Sequence, residues 1–550
     1  MALPALFSCS KKSSSDKPNS SPVVTLSANL VSVNPFSFQF TAEAQDQDLD
    51  PLTYTWDFGE GTTRTGNKVE TNNYSANQTY TIKVKVSDGK SAAVEASVQV
   101  NTKTYTITSD NTQQFQVIEG FGGFGAQSEY WSTGPFTSPG YVNTLINDLG
   151  LTILREPIPT NFEINNDNND PNVTDLSAFN INTGTAGHDG KLADHLQFLK
   201  DIKNAGLQKL IVSVWSPAPW MKHNDRVGNG TLDQNSAPVY NTTPTLLTNQ
   251  LKTDMYTEFA EYCVAYIKII KQETGLDVYA LSVQNEPRFS QFYASCVYNG
   301  EALRDVIKVV GARLVAEGLA TKLFMPEDVG WLDGINGLAS PVLADPVARG
   351  YIDMVAVHGY ASDGVAAGSA DALTWQTMYG WGAPYNIPLW MTETSGYPNT
   401  MDGAIAMGKA MYVALTYGNV SAWVFWTLST TTLDAYSLMN TAGLKSKRYF
   451  VSKNFYRYIR PGARRFTISS SENDKLLPMA FYHATDQATT IVIINDNKDS
   501  GMPVKLAGTG LPATFNVSIT SGTDDCKDYG TVNSSDVILV PAGSVVTLHK

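Results

Sequence analysis

Val278-Tyr279-Ala280-Leu281-Ser282-Val283-Gln284-Asn285-Glu286-Pro287 reads as a buried strand, Val278 to Asn285, that ends on an acid. Seven further runs share that texture: Glu119 to Ala126, Leu151 to Pro157, Lys209 to Ser216, Lys322 to Asp328, Ile352 to His358, Pro388 to Glu393 and Ala422 to Leu428. Between them, Leu192 to Ala205, Thr253 to Thr274, Glu301 to Glu317 and Ala404 to Tyr417 repeat apolar residues at three- and four-residue steps, the period of an amphipathic helix. Alternating strands and helices specify a parallel sheet, and closing eight buried strands into a barrel leaves no edge exposed. The expectation is an α/β fold, a (β/α)8 barrel over residues 105–465.

On either side of the barrel the pattern turns all-β. Alternating stretches at Val23 to Leu30, Phe36 to Ala42, Leu52 to Phe58, Tyr80 to Val86 and Ala93 to Val100, separated by Gly, Asn and Asp turns, predict a small sandwich over residues 22–101. After a last helix near Lys453 to Arg460, stopped by Pro461-Gly462, short strands at Pro478 to His483, Thr489 to Ile494, Thr514 to Ile519 and Ser544 to His549 predict a side β-sandwich over residues 466–550. Residues 105–117 have the same texture and are expected to join it. Tyr54-Thr55-Trp56-Asp57-Phe58-Gly59 and Val84-Lys85-Val86-Ser87-Asp88-Gly89 together resemble the polycystic kidney disease (PKD) repeat, an immunoglobulin-like module. Asp46, Asp48 and Asp50 alternate as calcium ligands can, but the glycine and distant Glu of an EF-hand loop are missing, so an acidic turn without metal is expected.

A formal net charge of -13 leaves no basic face for nucleic acid, and no partner of that kind is expected. The four cysteines show neither metal-site spacing nor a disulfide framework. Met1 to Cys9 resembles the tail of a bacterial lipoprotein signal, with Cys9 as the lipidated residue. Residues 1–21, signal remnant and polar linker, are therefore set aside from the fold. A secreted protein, or one lipid-anchored at the bacterial envelope (outer membrane or periplasm), follows as the expectation; the alternative is a frayed N-terminus with a chance cysteine.

In a parallel barrel, chemistry collects where the strands end. Glu286 ends the fourth strand and Glu393 ends the seventh, in Trp390-Met391-Thr392-Glu393-Thr394-Ser395-Gly396. These strands face each other across the mouth. Two opposed carboxyls are what glycosidic cleavage requires, one to protonate the leaving oxygen and one to attack the anomeric carbon. No cofactor or metal is needed. Glu156, Glu327 and Asp328 also end strands and are assigned supporting or structural roles.

The pair, with Asn-Glu-Pro at the fourth strand, resembles clan A of the glycoside hydrolases. Glu119 to Gly125, Trp215 to Lys222, Ser282 to Pro287 and Lys453 to Gly462 sharpen the resemblance to family 30. The resemblance implies a retaining enzyme with Glu286 as general acid/base and Glu393 as nucleophile. It further implies that Arg155 holds the nucleophile ionised, an ion pair with Glu156 being the plainer alternative. Asn285 is implied to bind the sugar 2-hydroxyl, and His358 and Tyr360 to orient the nucleophile. Trp215, Trp220, Trp331, Trp423 and Trp426 lie at or beyond strand ends and are candidate sugar platforms. Phe292-Tyr293-Ala294-Ser295-Cys296 and Lys445 to Tyr449 look most like the xylan-cleaving branch, with xylan as the polysaccharide substrate. Lys447, Arg448 and Tyr449 are the candidates for reading a glucuronic acid branch, with packing of the last helix the alternative for Arg448. An endo-β-1,6-glucanase or β-1,6-galactanase is the alternative activity, and a non-catalytic carbohydrate-binding lipoprotein the alternative of another class.

Overall fold

The computed structural model describes residues 18–125, 139–183, 191–229, 239–240, 249–329, 335–360 and 372–550. Two compact units are present. One comprises the described residues up to Tyr105 with Pro503–Lys505 and Asp536–Leu539; the remainder forms the second.

In the N-terminal unit, the strands Val23–Val33, Phe36–Gln45 and Val69–Tyr74 form one sheet, and Thr53–Asp57, Thr63–Gly66, Thr79–Ser87 and Val94–Asn101 form another. Residues of strand Thr79–Ser87 are buried at every second position, which sends Tyr80, Ile82, Val84 and Val86 into a core with Phe40, Trp56 and Phe58. Thr63–Gly66 and Val69–Tyr74 went unforeseen because they are almost wholly polar and carry little apolar alternation. Oxygens of Asp46, Asp50 and Asp88 lie within 4.8 Å of one another. Asp46 Oδ1 accepts from the Asp48 and Asp50 amides at 2.8 and 3.2 Å, and Lys90 pairs with Asp50 at 2.5 Å.

The second unit is built on a closed parallel barrel of Gly120–Phe124, Ile153–Pro157, Lys209–Ser213, Val278–Ser282, Lys322–Asp328, Ile352–His358, Leu389–Glu393 and Ala422–Phe425. Each strand falls within one of the eight runs read from the sequence. Ile153, Ile211, Ala280, Phe324, Met354, Trp390 and Val424 fill the barrel, while their neighbours Leu154, Val212, Leu281, Met325, Met391 and Trp423 face outward into the core shared with the helices. The first strand is glycine-rich because its neighbours crowd it: a Cβ on Gly122 would lie 2.2 Å from the Ile153 carbonyl oxygen. The helices Leu192–Asn204, Tyr256–Thr274, Gly300–Ala316 and Met401–Tyr417 lie where expected.

The last helix is Lys447–Tyr456, earlier than expected, because Ser446 caps it by accepting from the Tyr449 amide. Its Asn454 side chain reaches Ser518 O and Thr547 Oγ1, tying the barrel to a side sheet. There, seven strands of a nine-stranded sheet run in the order Lys527–Asn533, Thr514–Thr520, Ser544–His549, Ala488–Asn495, Leu476–His483, Arg464–Ser470 and Tyr105–Val117. Tyr105–Val117 joins as the sequence suggested, pairing antiparallel with Arg464–Ser470. Among the described residues no helix is long and apolar enough to cross a membrane.

Candidate active site

Side chains alternate along a strand, so Arg155 follows Ile153 toward the barrel axis while Glu156 turns outward. Glu156 lies 3.2 Å from His195 of the helix Leu192–Asn204, not against Arg155, which removes the plain ion-pair reading of Arg155. Alternation alone would send Glu327 and Glu393 outward too. Two register slips reverse them. Val357 pairs with Met391 but His358 pairs with Glu393, which makes Thr392 the extra residue. Pro326 pairs with Ala356 and Asp328 with Val357, which makes Glu327 the extra residue, with a left-handed φ of 53°. Glu286 is left-handed as well, at 47°, and its amide donates to the Glu327 carbonyl at 2.9 Å. Non-glycine residues hold such angles only where the surroundings enforce them.

The side chains converge at the barrel mouth. Arg155, fully buried, donates from Nη1 to Glu393 Oε2 at 2.6 Å, from Nη2 to Asn285 Oδ1 at 2.7 Å and from Nε to Ser213 Oγ at 3.2 Å. Its Nη2 also lies 3.1 Å from Glu327 Oε1. Tyr360 donates its hydroxyl to the other oxygen of Glu393. His358 Nδ1 lies 3.0 Å from Glu286 Oε1 and its Nε2 lies 3.3 Å from Glu327 Oε1. An oxygen of Glu286, an oxygen of Glu393 and a ring nitrogen of His358 all sit within 4.8 Å of one another.

The electrostatics divide these groups. Burial pushes the Glu286 carboxyl up to about 7; the His358 hydrogen bond opposes the rise and the Glu393 charge adds to it. Burial would raise Glu327 too, but the Arg155 and His358 charges hold it down at about 2. For His358 burial works downward and is outweighed by Glu393, Glu286 and Glu327, which push the imidazole up to about 10. An imidazole with both nitrogens against carboxylate oxygens donates from both only as the imidazolium.

The other candidates separate. Asn285 turns its Oδ1 to Arg155, and its amide N–H groups are left to offer a sugar hydroxyl. Trp215 is buried beneath the mouth, its ring 4.7 Å from the Arg155 guanidinium, and with Phe124 and the half-buried Trp426 it forms an aromatic floor. Trp220 donates instead to the Glu163 carbonyl at 3.3 Å. Trp423 is fully buried in the outer core and cannot be a platform.

Arg448 does not face the cleft. Fully buried, it donates to the carbonyls of Tyr397 at 2.9 Å, Ser437 at 2.7 Å and Asp434, a clamp on the loops after the seventh and eighth strands. Lys445 and Tyr449 are both held by Asp148, and Lys447 by Asp525, which leaves the whole basic run anchoring its helix. Trp331 and Cys9 lie outside the described residues.

Two further residues belong here. Glu327, expected in a supporting or structural role, bridges Arg155 and His358. Tyr293, in the loop after the fourth strand, has its hydroxyl raised by desolvation and by the charges of Glu286 and Glu393, so it lies within electrostatic reach of the pair. Its signal was present in the aromatic stretch following Asn-Glu-Pro.

Residues 146–408 match the model of the glycosyl hydrolase family 30 TIM-barrel domain, and residues 19–103 match that of the PKD domain. The glucuronoxylanase XynC of Bacillus subtilis is 23% identical over 340 residues, covering 60% of this chain and 72% of that protein. An endo-1,6-beta-D-glucanase of Neurospora crassa is 25% identical over 427 residues, 71% of this chain and 82% of the relative. The solved glycoside hydrolase family 30 subfamily 8 xylanase Xyn30A of Clostridium acetobutylicum superposes with a TM-score of 0.62 at 23% identity, over 81% of this chain and 99% of that one, a likeness of fold.

Proposed function

Because the chain carries a glycoside hydrolase family 30 barrel behind a PKD domain and is thereby a glycosidase, we propose that it is a retaining endo-xylanase that works by double displacement on Glu286 and Glu393. The close approach of the two carboxyls carries the mechanism. Oxygens within 4.8 Å fit the spacing of about 5–5.5 Å of retaining pairs and fall short of the roughly 6.5–9.5 Å that lets an inverting enzyme seat a water between them. Glu286, held protonated by burial, gives its proton to the glycosidic oxygen while Glu393, clasped by Arg155 and Tyr360, attacks the anomeric carbon. Water then enters as Glu286 takes a proton back, and the glycosyl–Glu393 ester is hydrolysed.

For the substrate, β-1,4-xylan is favoured by the Phe292–Cys296 stretch and by the glucuronoxylanase relative. The burial of Arg448 takes away the residue offered for a glucuronic acid branch, so the proposal is xylan without a branch requirement assigned to Arg448. The second reading, an endo-β-1,6-glucanase, is supported by the Neurospora relative, which matches more of this chain than XynC does. Parallel digests of glucuronoxylan, arabinoxylan, β-1,6-glucan and β-1,6-galactan decide between them, and proton NMR of the first-formed products reads the anomer. Cleavage of only the β-1,6-linked polymers would replace xylan; a product of inverted anomeric configuration would remove the double displacement.

Export and lipid anchoring at Cys9 belong to the same reading. Palmitate labelling in a bacterial host tests them: label that survives Cys9→Ala would place the anchor elsewhere.

A further inference from the structure

The third carboxylate of the mouth, Glu327, has no role in the two displacement steps, yet the fold goes to some length to place it. It is the extra residue of a register slip, it holds a left-handed backbone, and its side chain is fully buried among charged groups. It also reaches the proposed acid by two routes, one direct and one through His358. Its carbonyl accepts the Glu286 amide, and its Oε1 faces the His358 nitrogen opposite the one that faces Glu286.

We propose that Glu327 is a positioning residue that keeps His358 in its doubly donating form and thereby fixes which oxygen of Glu286 carries the transferable proton. The proposal rests on Glu286 being the general acid. With Nδ1–H donated to Glu286 Oε1, the acid's own proton is confined to Oε2, free for the glycosidic oxygen. His358 is faced by Glu286 from the end of the fourth strand, by Glu327 and Asp328 from the fifth and by Glu393 at 3.8 Å from the seventh. Asp328 is neutralised by Arg288 at 2.7 Å, and Arg155 is shared by Glu393 at 2.6 Å and Glu327 at 3.1 Å. Glu393 lies on the Nδ1 side of the ring, so Glu327 is the anion that faces Nε2. A neutral amide at that position would accept Nε2–H from an uncharged imidazole. The Nδ1 lone pair would then face Glu286 and draw the acid's proton onto the wrong oxygen.

The variants Glu327→Gln and Glu327→Asp test this with two readouts. The first is the ring signals of 15N-histidine-labelled enzyme, free of substrate, with His358 assigned by its loss in His358→Gln. The expected result at pH 6, where Glu286 keeps its proton, is imidazolium in the parent and in Glu327→Asp, and neutral imidazole in Glu327→Gln. A neutral His358 in the parent at pH 6 overturns the proposal without any variant, and so does an imidazolium that persists in folded Glu327→Gln. This readout does not depend on which polysaccharide is cut, so a wrong substrate leaves it standing. The second readout is turnover on aryl glycosides of graded leaving groups. Glu327→Gln should lose about 100-fold or more on poor leaving groups and far less on activated ones, as expected when acid assistance is impaired; Glu327→Asp should restore most of that ratio. Equal losses across the series would make Glu327 merely structural and refute the positioning role.

Discussion

His358 Nδ1 stands 3.0 Å from Glu286 Oε1, and the two groups hold their protons over different pH ranges: burial takes the carboxyl up to about 7, and surrounding carboxylates take the imidazole up to about 10. A general acid must be protonated to act. As pH rises through about 7, Glu286 loses its proton and kcat/KM of the free enzyme should fall, while His358 is still charged. A pH profile of kcat/KM on a poor leaving group measures this; activity that stays flat to pH 9 would remove Glu286 from the role.

Replacing the two glutamates should give different deficits. Glu393→Gln leaves no nucleophile and should abolish turnover on every substrate. Glu286→Ala should cost about 10²- to 10⁴-fold on xylan. Azide should rescue it on an activated aryl glycoside, because a good leaving group needs no proton and the small anion enters where the acid stood. The rescued product is a glycosyl azide of retained configuration; an inverted adduct would mean the roles are exchanged.

Arg448→Ala should damage the fold rather than the specificity. It strips three buried carbonyls of their donors, a loss on the order of 3 kcal/mol in unfolding free energy. Thermal or urea unfolding should register that loss. Any residual drop in activity should be the same on glucuronoxylan and arabinoxylan, and a drop confined to the glucuronic acid-bearing polymer would return Arg448 to the cleft.

Stability should decline with rising pH because of raised acids, two of which lie outside the catalytic set. Glu163, in the loop after the second strand, is raised to about 8 by burial and by Asp167, Glu261 and Glu258; Glu261 is raised to about 7, chiefly by burial. Below pH 4.5 both folded and unfolded chains hold these protons. Between 4.5 and about 8 the unfolded chain releases them while the folded one keeps them, so the unfolded state is favoured progressively as pH rises. Calorimetric melts at pH 5, 6.5 and 8 should show a falling Tm that Glu163→Gln flattens. An identical slope in the variant would exclude Glu163 as a source.

The barrel was legible because buried parallel strands read as apolar runs whose spacing survives in one dimension, and the two glutamates because each closes such a run. What was hidden depends on pairing between strands. Nothing local marks Glu327 as the extra residue of a slip; the slip is a relation between Pro326–Asp328 and Ala356–Val357. Trp423 and Trp426 looked equivalent in sequence, yet alternation buries the first in the outer core and leaves the second, past the strand end, at the mouth. For Arg448 the sequence left a glucuronic acid reader and a packing residue open, and only the fold brings to its guanidinium three carbonyls from loops distant in sequence.

The strand Tyr105–Val117 precedes the barrel but finds its partner, Arg464–Ser470, only after the barrel is complete. A ribosome adding about 5–20 residues per second brings out the second strand roughly 20 to 70 s after the first. Through that interval the earlier strand has a bare hydrogen-bonding edge, the kind of template on which nascent chains cross-associate. The side sheet thus closes late: the barrel's eight strands can be synthesised in full before this strand meets Arg464–Ser470, and a message truncated ahead of Arg464 would release a barrel preceded by an unpaired strand.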